Sequence, residues 1–240
     1  MRVIAKIETK TDYAVKGRKL EGIRNIGDPS DLAKRYYEEG ADEIFFIDSV
    51  ASLYGRATLD KVVSKVSETV FSPMCVGGGI RTIDDCKIMF DSGADKVALN
   101  SILFKDLQIL KKISKVYGSQ SIVVEIQAKK NINGSGYSCL CEYGREYTGI
   151  DLIDWLSSLK EFQIGEVHII SVDHDGMNKG VDRNLIDLAR INVNAPLVYS
   201  GGFNSDLDDI EWLKFRLEGL AIASGFHLGK NVASFSQRNN

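Results

Sequence analysis

Short apolar runs rich in β-branched residues recur along the chain, each followed by a stretch with helical periodicity, and this alternation restricts the possible folds more than any other feature. The runs are VIAKIE (3–8), EIFFID (43–48), SPMCV (72–76), KVALN (96–100), IVVEIQ (122–127), EVHIIS (166–171), PLVYS (196–200) and LAIAS (220–224). Their nearly continuous hydrophobicity is what parallel strands covered on both faces require. Helix starts fall in the gaps. Asp28-Pro29 sets a capping residue before a proline at the first helical position, and Thr82 to Asp85 has the form of a capping box. Eight strand–helix units in 240 residues predict an α/β fold of the closed (β/α)₈ TIM barrel type rather than an open doubly wound sheet. With three prolines and no low-complexity linker, residues 1–240 are expected to form one barrel domain.

Charge and cysteine usage narrow the function classes. Lysine plus arginine total 30 and aspartate plus glutamate 33, a net charge of −3, so no strong positive field is available to hold nucleic acid or an anionic membrane. The first residues, MRVIAKIETK, place charges where a signal peptide needs an apolar core, and no apolar run approaches the roughly 20 residues that cross a bilayer. A cytoplasmic location is expected, with Cys75, Cys86, Cys139 and Cys141 as thiols. Neither metal nor cofactor is expected: Cys139 and Cys141 lack a neighbouring histidine or second cysteine pair, and His168, His174 and His227 match no zinc spacing.

Two internal correspondences predict a barrel duplicated from two half-barrel repeats. CVGGGI (75–80) precedes KVALNS (96–101) at about the separation at which YSGGFN (199–204) precedes LAIAS (220–224), and KIETK (6–10) matches EIQAK (125–129). Segment 131–149 interrupts the pattern between the fifth strand and its helix. Its Asn133-Gly134 pair has turn chemistry with alternating residues on either side, which predicts a β-hairpin inserted after strand five.

In such a barrel the reacting groups sit at the C-terminal strand ends. Those ends carry Glu8, Asp48, Gly78-Gly79, Asn100-Ser101, Gln127, Asp173, Asp175, Gly201-Gly202 and Ala223-Ser224. Glycines let backbone N–H groups come close to an anion, and a neighbouring hydroxyl or amide adds a donor. A lone Gly-Gly at a strand end is an ordinary tight turn. Two such pairs at symmetry-related places predict two phosphate sites on opposite sides of the mouth, suited to a small molecule with a phosphate at each end. For Asp48, Asp173 and Asp175, capping or turn roles weigh as heavily as binding ones.

The motifs KIETKTDYAVKG, GDPSDLAKRYYEEGADEIFFID, VGGGIRTIDDCKIMFDSGADKVALNS, YGSQSIVVEIQAKK, TGIDLIDW and SVDHDG, followed by SGG and AIASGFH, span nearly the whole chain. In that order they resemble the cyclase subunit family of imidazole glycerol phosphate synthase (HisF). The resemblance implies a glutaminase partner (HisH-like) docked at the N-terminal barrel face, with ammonia passing through the barrel to a doubly phosphorylated ribulosyl aminoimidazole. The implied products are imidazole glycerol phosphate and an aminoimidazole carboxamide ribotide, in a lyase-type glutamine amidotransferase of histidine biosynthesis. It further implies that Arg2, Glu43, Lys96 and Glu166 ring an ammonia entrance, that Lys16 is the mobile lysine of the first loop, and that catalytic carboxylates belong at positions 8 and 127.

Both of those positions are normally Asp in the family, and here they hold Glu8 and Gln127. Glutamine cannot take a proton near neutral pH, and the extra methylene of Glu8 moves its carboxylate by about 1 Å. The expectation is a divergent copy whose own cyclisation is very slow or absent and which passes ammonia to another acceptor. The resemblance extends to copies tied to bacterial surface polysaccharide and lipopolysaccharide pathways, where a separate sugar amidotransferase forms an amidine. Competing expectations are an authentic histidine-pathway cyclase, the sister isomerase family, against which the four-charge entrance speaks, and a scaffold that only activates the glutaminase.

Overall fold

The computed structural model describes residues 1–51, 59–203 and 207–232. The first half runs β1 (Arg2–Lys10), β2 (Tyr13–Arg18), β3 (Glu21–Gly27), α1 (Pro29–Glu38), β4 (Glu43–Asp48), α2 (Asp60–Ser67), β5 (Met74–Gly77), α3 (Ile83–Asp91), β6 (Lys96–Leu99) and α4 (Gln108–Tyr117). The second runs β7 (Ile122–Lys130), β8 (Tyr137–Cys141), β9 (Glu146–Asp151), α5 (Leu152–Leu159), β10 (Glu166–Ser171), α6 (Arg183–Asn192), β11 (Leu197–Ser200), α7 (Leu207–Lys214), β12 (Gly219–Ile222) and α8 (Ser224–His227). Strands β1, β4, β5, β6, β7, β10, β11 and β12 pair in parallel in that order. The β12–β1 and β7–β10 pairings complete the circle, so the chain is an eight-stranded parallel barrel with helices between its strands.

Local chemistry explains the boundaries. Asp28 accepts hydrogen bonds from the N–H groups of Ser30 and Asp31 ahead of Pro29, and Thr82 with Asp85 closes a capping box at α3. α1 buries Ala33 and Tyr36 against the outside of the barrel, where most of the core lies. A second apolar cluster fills the barrel itself and includes Ile4, Phe45, Cys75, Ala98, Val123, Val198 and Ala221. Because side chains alternate along a strand, residues two and four places on from these also point inward, among them Lys6 and Glu8 on β1 and Glu125 and Gln127 on β7, while His168 on β10 packs its ring edge-on against Phe45.

Strands β1 and β7 run past the barrel rim, to Lys10 and Lys130, because each continues into antiparallel pairing: β1 with β2 and β7 with β8. The segment after β7 therefore departs from a single hairpin about Asn133-Gly134. That turn joins β7 to β8, and a second turn joins β8 to β9. Nor does it interrupt the repeat, since β2 and β3 occupy the matching place after β1, with Glu8 opposite Val15 as Gln127 is opposite Leu140. The tips also match. Lys19 and Leu20 have φ of 52° and 62°, the left-handed pair that a two-residue hairpin turn needs, here without glycine, and the four-residue β8–β9 turn opens on a like pair, Glu142 and Tyr143 at 50° and 57°, followed by Gly144 at 77°. Leu20 and Tyr143 are buried over the mouth, and Gly144 lies so close to Leu20 that a Cβ there would come within 2.9 Å of it. Among the described residues no helix is long and apolar enough to cross a membrane.

Candidate functional site

At the N-terminal end of the barrel, Arg2, Glu43, Lys96 and Glu166 form a closed ring of ion pairs. Glu43 accepts from Arg2 and, at 2.9 Å, from Lys96; Glu166 accepts from Arg2 and from Lys96, each at 2.8 Å. Burial pushes the Glu43 carboxyl up, and Lys96 and Arg2 offset only part of that. Burial alone would lower Lys96, but the two carboxylates outweigh it and hold its ammonium above the ordinary range. Inside the ring, the axis is lined by apolar side chains including Ile4 and Val123.

At the opposite end, Glu8 is wholly buried between two lysines. Its Oε1 lies 3.0 Å from Lys6 Nζ and its Oε2 2.7 Å from Lys16 Nζ. Burial on its own would raise the Glu8 carboxyl; Lys16 and Lys6 overcome this and bring it down to about 2. Lys16, placed on strand β2, also donates to both oxygens of Asp175 at 2.9 Å. Burial alone would lower the Lys16 ammonium, but Glu8 and Asp175 outweigh it and push it up.

Gln127 sits at the corresponding place in the other half and is equally fixed. Its carbonyl accepts from Gly144 N–H at 2.6 Å, and its amide donates to Glu125 Oε1 at 2.8 Å. This accounts for an amide at the position. A carboxylate could take the Gly144 bond but could not donate to Glu125, and would set two negative groups at neighbouring positions on one strand face.

Each of the two glycine–polar pairings lines its own cavity at the mouth. Gly78, Gly79, Asn100 and Ser101 line the first with Asp48 and Gln127; Gly201, Gly202, Ala223 and Ser224 line the second with Asp175. The halves obey one packing rule. A Cβ on Gly78 would come 2.4 Å from the Asp48 carbonyl oxygen, and one on Gly201 would come 2.7 Å from that of Ser171, each on the preceding barrel strand. Several of these groups have structural partners already: Asp48 accepts from the N–H groups of Val50 and Ala51, Asn100 donates to the Glu125 carbonyl, and Ser101 Oγ accepts from Glu142 N–H. Asp173 accepts from Lys130 N–H, away from the Lys16 cluster. Among the described residues no group of His, Cys, Asp and Glu is arranged to hold a metal ion.

Sequence reading missed Lys6, Glu125 and His168, all buried in the barrel interior. The available signal was a charged or imidazole side chain inside an otherwise apolar strand run, at positions of one parity with Glu8 and Gln127. It also missed a wider groove between the β2–β3 hairpin and α8, lined by Lys16, Arg18, Arg24 and His227.

Comparison with known proteins agrees with this architecture. The family model described as histidine biosynthesis protein matches residues 2–231. An imidazole glycerol phosphate synthase subunit HisF of Legionella pneumophila is 41% identical over 202 residues, covering 84% of this chain and 95% of that protein. Proteins of the same name from Natranaerobius thermophilus and Dehalococcoides mccartyi are 40% and 38% identical over 228 and 230 residues, covering 94% and 95% of this chain and 90% of each relative. With the ring, the matched cavities and the repeated half-barrel in place, the chain belongs to the histidine biosynthesis protein family and is similar along nearly its whole length to HisF subunits.

Proposed function

We propose that this chain is the ammonia-using synthase subunit of a HisF-type glutamine amidotransferase, cyclising a doubly phosphorylated ribulosyl aminoimidazole with nitrogen supplied by a glutaminase. The observation that carries the reading is the pairing of two glycine-walled cavities on opposite sides of one mouth, one lined by Gly78, Gly79 and Ser101 and the other by Gly201, Gly202 and Ser224. Backbone N–H groups at glycines suit phosphate oxygens, and two such cradles suit a substrate phosphorylated at both ends. The ring of Arg2, Glu43, Lys96 and Glu166 is the proposed ammonia entrance, since it surrounds the axis with balanced charge and adjoins an apolar layer of the barrel interior that includes Ile4 and Val123. The glutaminase docks on that same end. Phe71, Ile191 and Phe215 are 78%, 80% and 81% exposed there, on segments that lead into β5, β11 and β12.

A second reading has its own support. Glu8 is held between two ammonium groups and position 127 is an amide, which favours a copy with weak cyclisation that delivers ammonia to a different acceptor, such as a sugar handled by a separate amidotransferase. Steady-state turnover of the ribulosyl substrate with ammonium salt separates the two. Turnover within about tenfold of a HisF control supports the cyclase. No turnover, with ¹⁵N from glutamine amide reaching another acceptor in the presence of the glutaminase, supports the conduit. Failure of both overturns the ammonia-using assignment.

A further inference from the structure

Neither group at the two matched strand ends is free to shuttle a proton at neutral pH, because Gln127 does not titrate and Glu8 is clamped as a carboxylate by Lys6 and Lys16. The chain carries another carboxyl one step deeper. Glu125 lies two residues before Gln127 on the same face of β7, is 4% exposed, and lines the first cavity with Gln127, Asn100 and Gly79. Its Oε1 accepts from Gln127 Nε2, and its Oε2 has no hydrogen-bond partner. That oxygen faces His168 Nδ1 at 3.7 Å, which also lacks a partner, while His168 Nε2 is 3.0 Å from Ser200 Oγ. Ser200 lines the second cavity. Glu125, His168 and Ser200 thus cross the barrel interior from one cavity to the other. Two buried polar atoms left unpaired and facing each other are costly in a core, and a core keeps such groups where chemistry uses them.

We propose that Glu125 is the proton-transferring carboxyl of the first cavity, in place of a carboxylate at position 127, and that His168 and Ser200 exchange its proton with the second cavity. This inference rests on the ammonia-adding reaction proposed above. A nitrogen that has added to a carbonyl carbon carries a surplus proton. Glu125 takes that proton as a carboxylate, becoming the carboxylic acid, and returns it to the departing atom as the bond breaks and its electron pair leaves with that atom. The enzyme ends the cycle with the protons it began with.

The surroundings fit this task. The groups facing Glu125 are Lys6 and Glu8 of β1, Gln127 of its own strand, His168 of β10 and Tyr143 of the β8–β9 turn. Burial pushes the Glu125 carboxyl up by more than Lys6 and Gln127 pull it down, toward the range in which a carboxyl both gives and takes protons. Burial and Lys6 push His168 well down, so its ring is neutral and able to accept. Gln127, fixed by Gly144, is a positioning residue that occupies Oε1 and leaves Oε2 to the relay.

The test compares the wild type with Glu125→Gln, Glu125→Asp and His168→Gln in ammonium-dependent turnover across pH, each variant first checked for a native circular dichroism spectrum and melting transition. Glu125→Gln is expected to lower kcat at least about 100-fold with KM within about threefold, and Glu125→Asp to recover to within about tenfold of the wild type. His168→Gln is expected to keep KM and to shift the limb of the kcat profile that Glu125→Gln removes. Wild-type turnover by Glu125→Gln, or a pH profile indifferent to both positions, overturns the proposal. A wild type without turnover overturns the cyclase reading instead, and the relay is then read by ¹³C NMR of the Glu125 carboxyl. A titration midpoint above the ordinary glutamate value that moves on His168→Gln supports it; an ordinary midpoint unaffected by His168→Gln overturns it.

Discussion

Replacing Glu8 with glutamine keeps the side-chain shape while removing the charge that faces two buried ammonium groups. Lys16 retains Asp175, but Lys6, 1% exposed, has Glu8 as its ion-pair partner and is left with a neutral amide. The magnitude follows from the carboxyl itself. Its fall from 4.5 to about 2, at about 1.4 kcal/mol for each tenfold change in proton affinity, corresponds to about 3 kcal/mol of stability at neutral pH. Orphaning one member of a buried ion pair costs about 3–5 kcal/mol, the same order. Because the folded-state value is depressed, this stability is present above the ordinary 4.5 and is lost as pH falls through about 2. Chemical denaturation at neutral pH should therefore find Glu8→Gln about 3 kcal/mol less stable than the wild type, with the gap closing as the solution is acidified. The double variant Lys6→Met with Glu8→Gln should recover most of the loss, since exchanging both partners of a buried pair for uncharged groups is often neutral or stabilising. A Glu8→Gln variant within about 1 kcal/mol of the wild type at neutral pH, or a gap that persists unchanged in acid, would refute the clamp.

Gln127→Asp should cost about 1–3 kcal/mol in denaturation, because it removes the donor to Glu125 and adds a like charge, and the exchanged pair Glu125→Gln with Gln127→Asp should recover it. Gly78→Ala sets a Cβ against the Asp48 carbonyl at φ +96° and should lose at least about 2 kcal/mol, whereas Gly22→Ala, at φ +60° with nothing within 4 Å, should lose only about 1 kcal/mol; melting of the two variants decides it. Burial holds His227, whose Nδ1 lies 2.6 Å from Tyr36 Oη, down to about 4. Its neutral form should support stability above the ordinary 6.5 and that support should be lost as pH falls through about 4, so ¹H–¹⁵N titration should give a low midpoint and His227→Phe should flatten the acid limb of the melting curve. Lys96→Met leaves Glu43 and Glu166 in the ring with Arg2 as their remaining cation, and should destabilise by about 1–3 kcal/mol in denaturant.

The alternation of apolar runs and capped amphipathic stretches was enough to specify a parallel barrel, because a strand buried on both faces and a helix with one apolar stripe advertise themselves locally. The glycine pairs were legible for a similar reason: Gly78 and Gly201 each sit against a backbone carbonyl that no Cβ could approach. Residues 13–27 gave no such sign. β3 is almost wholly exposed, so it lacks an apolar alternation, and its turn is made by Lys19 and Leu20 at positive φ where glycine or asparagine would ordinarily mark it. What the tertiary structure alone decided is who faces whom across the barrel. Lys6 meets Glu8 within one strand, but Glu125 meets His168 only because β7 pairs with β10 in a register that sets the two opposite each other, 43 residues apart in sequence. Pairing register between distant strands is fixed by closure and packing of the whole sheet, which no local stretch encodes.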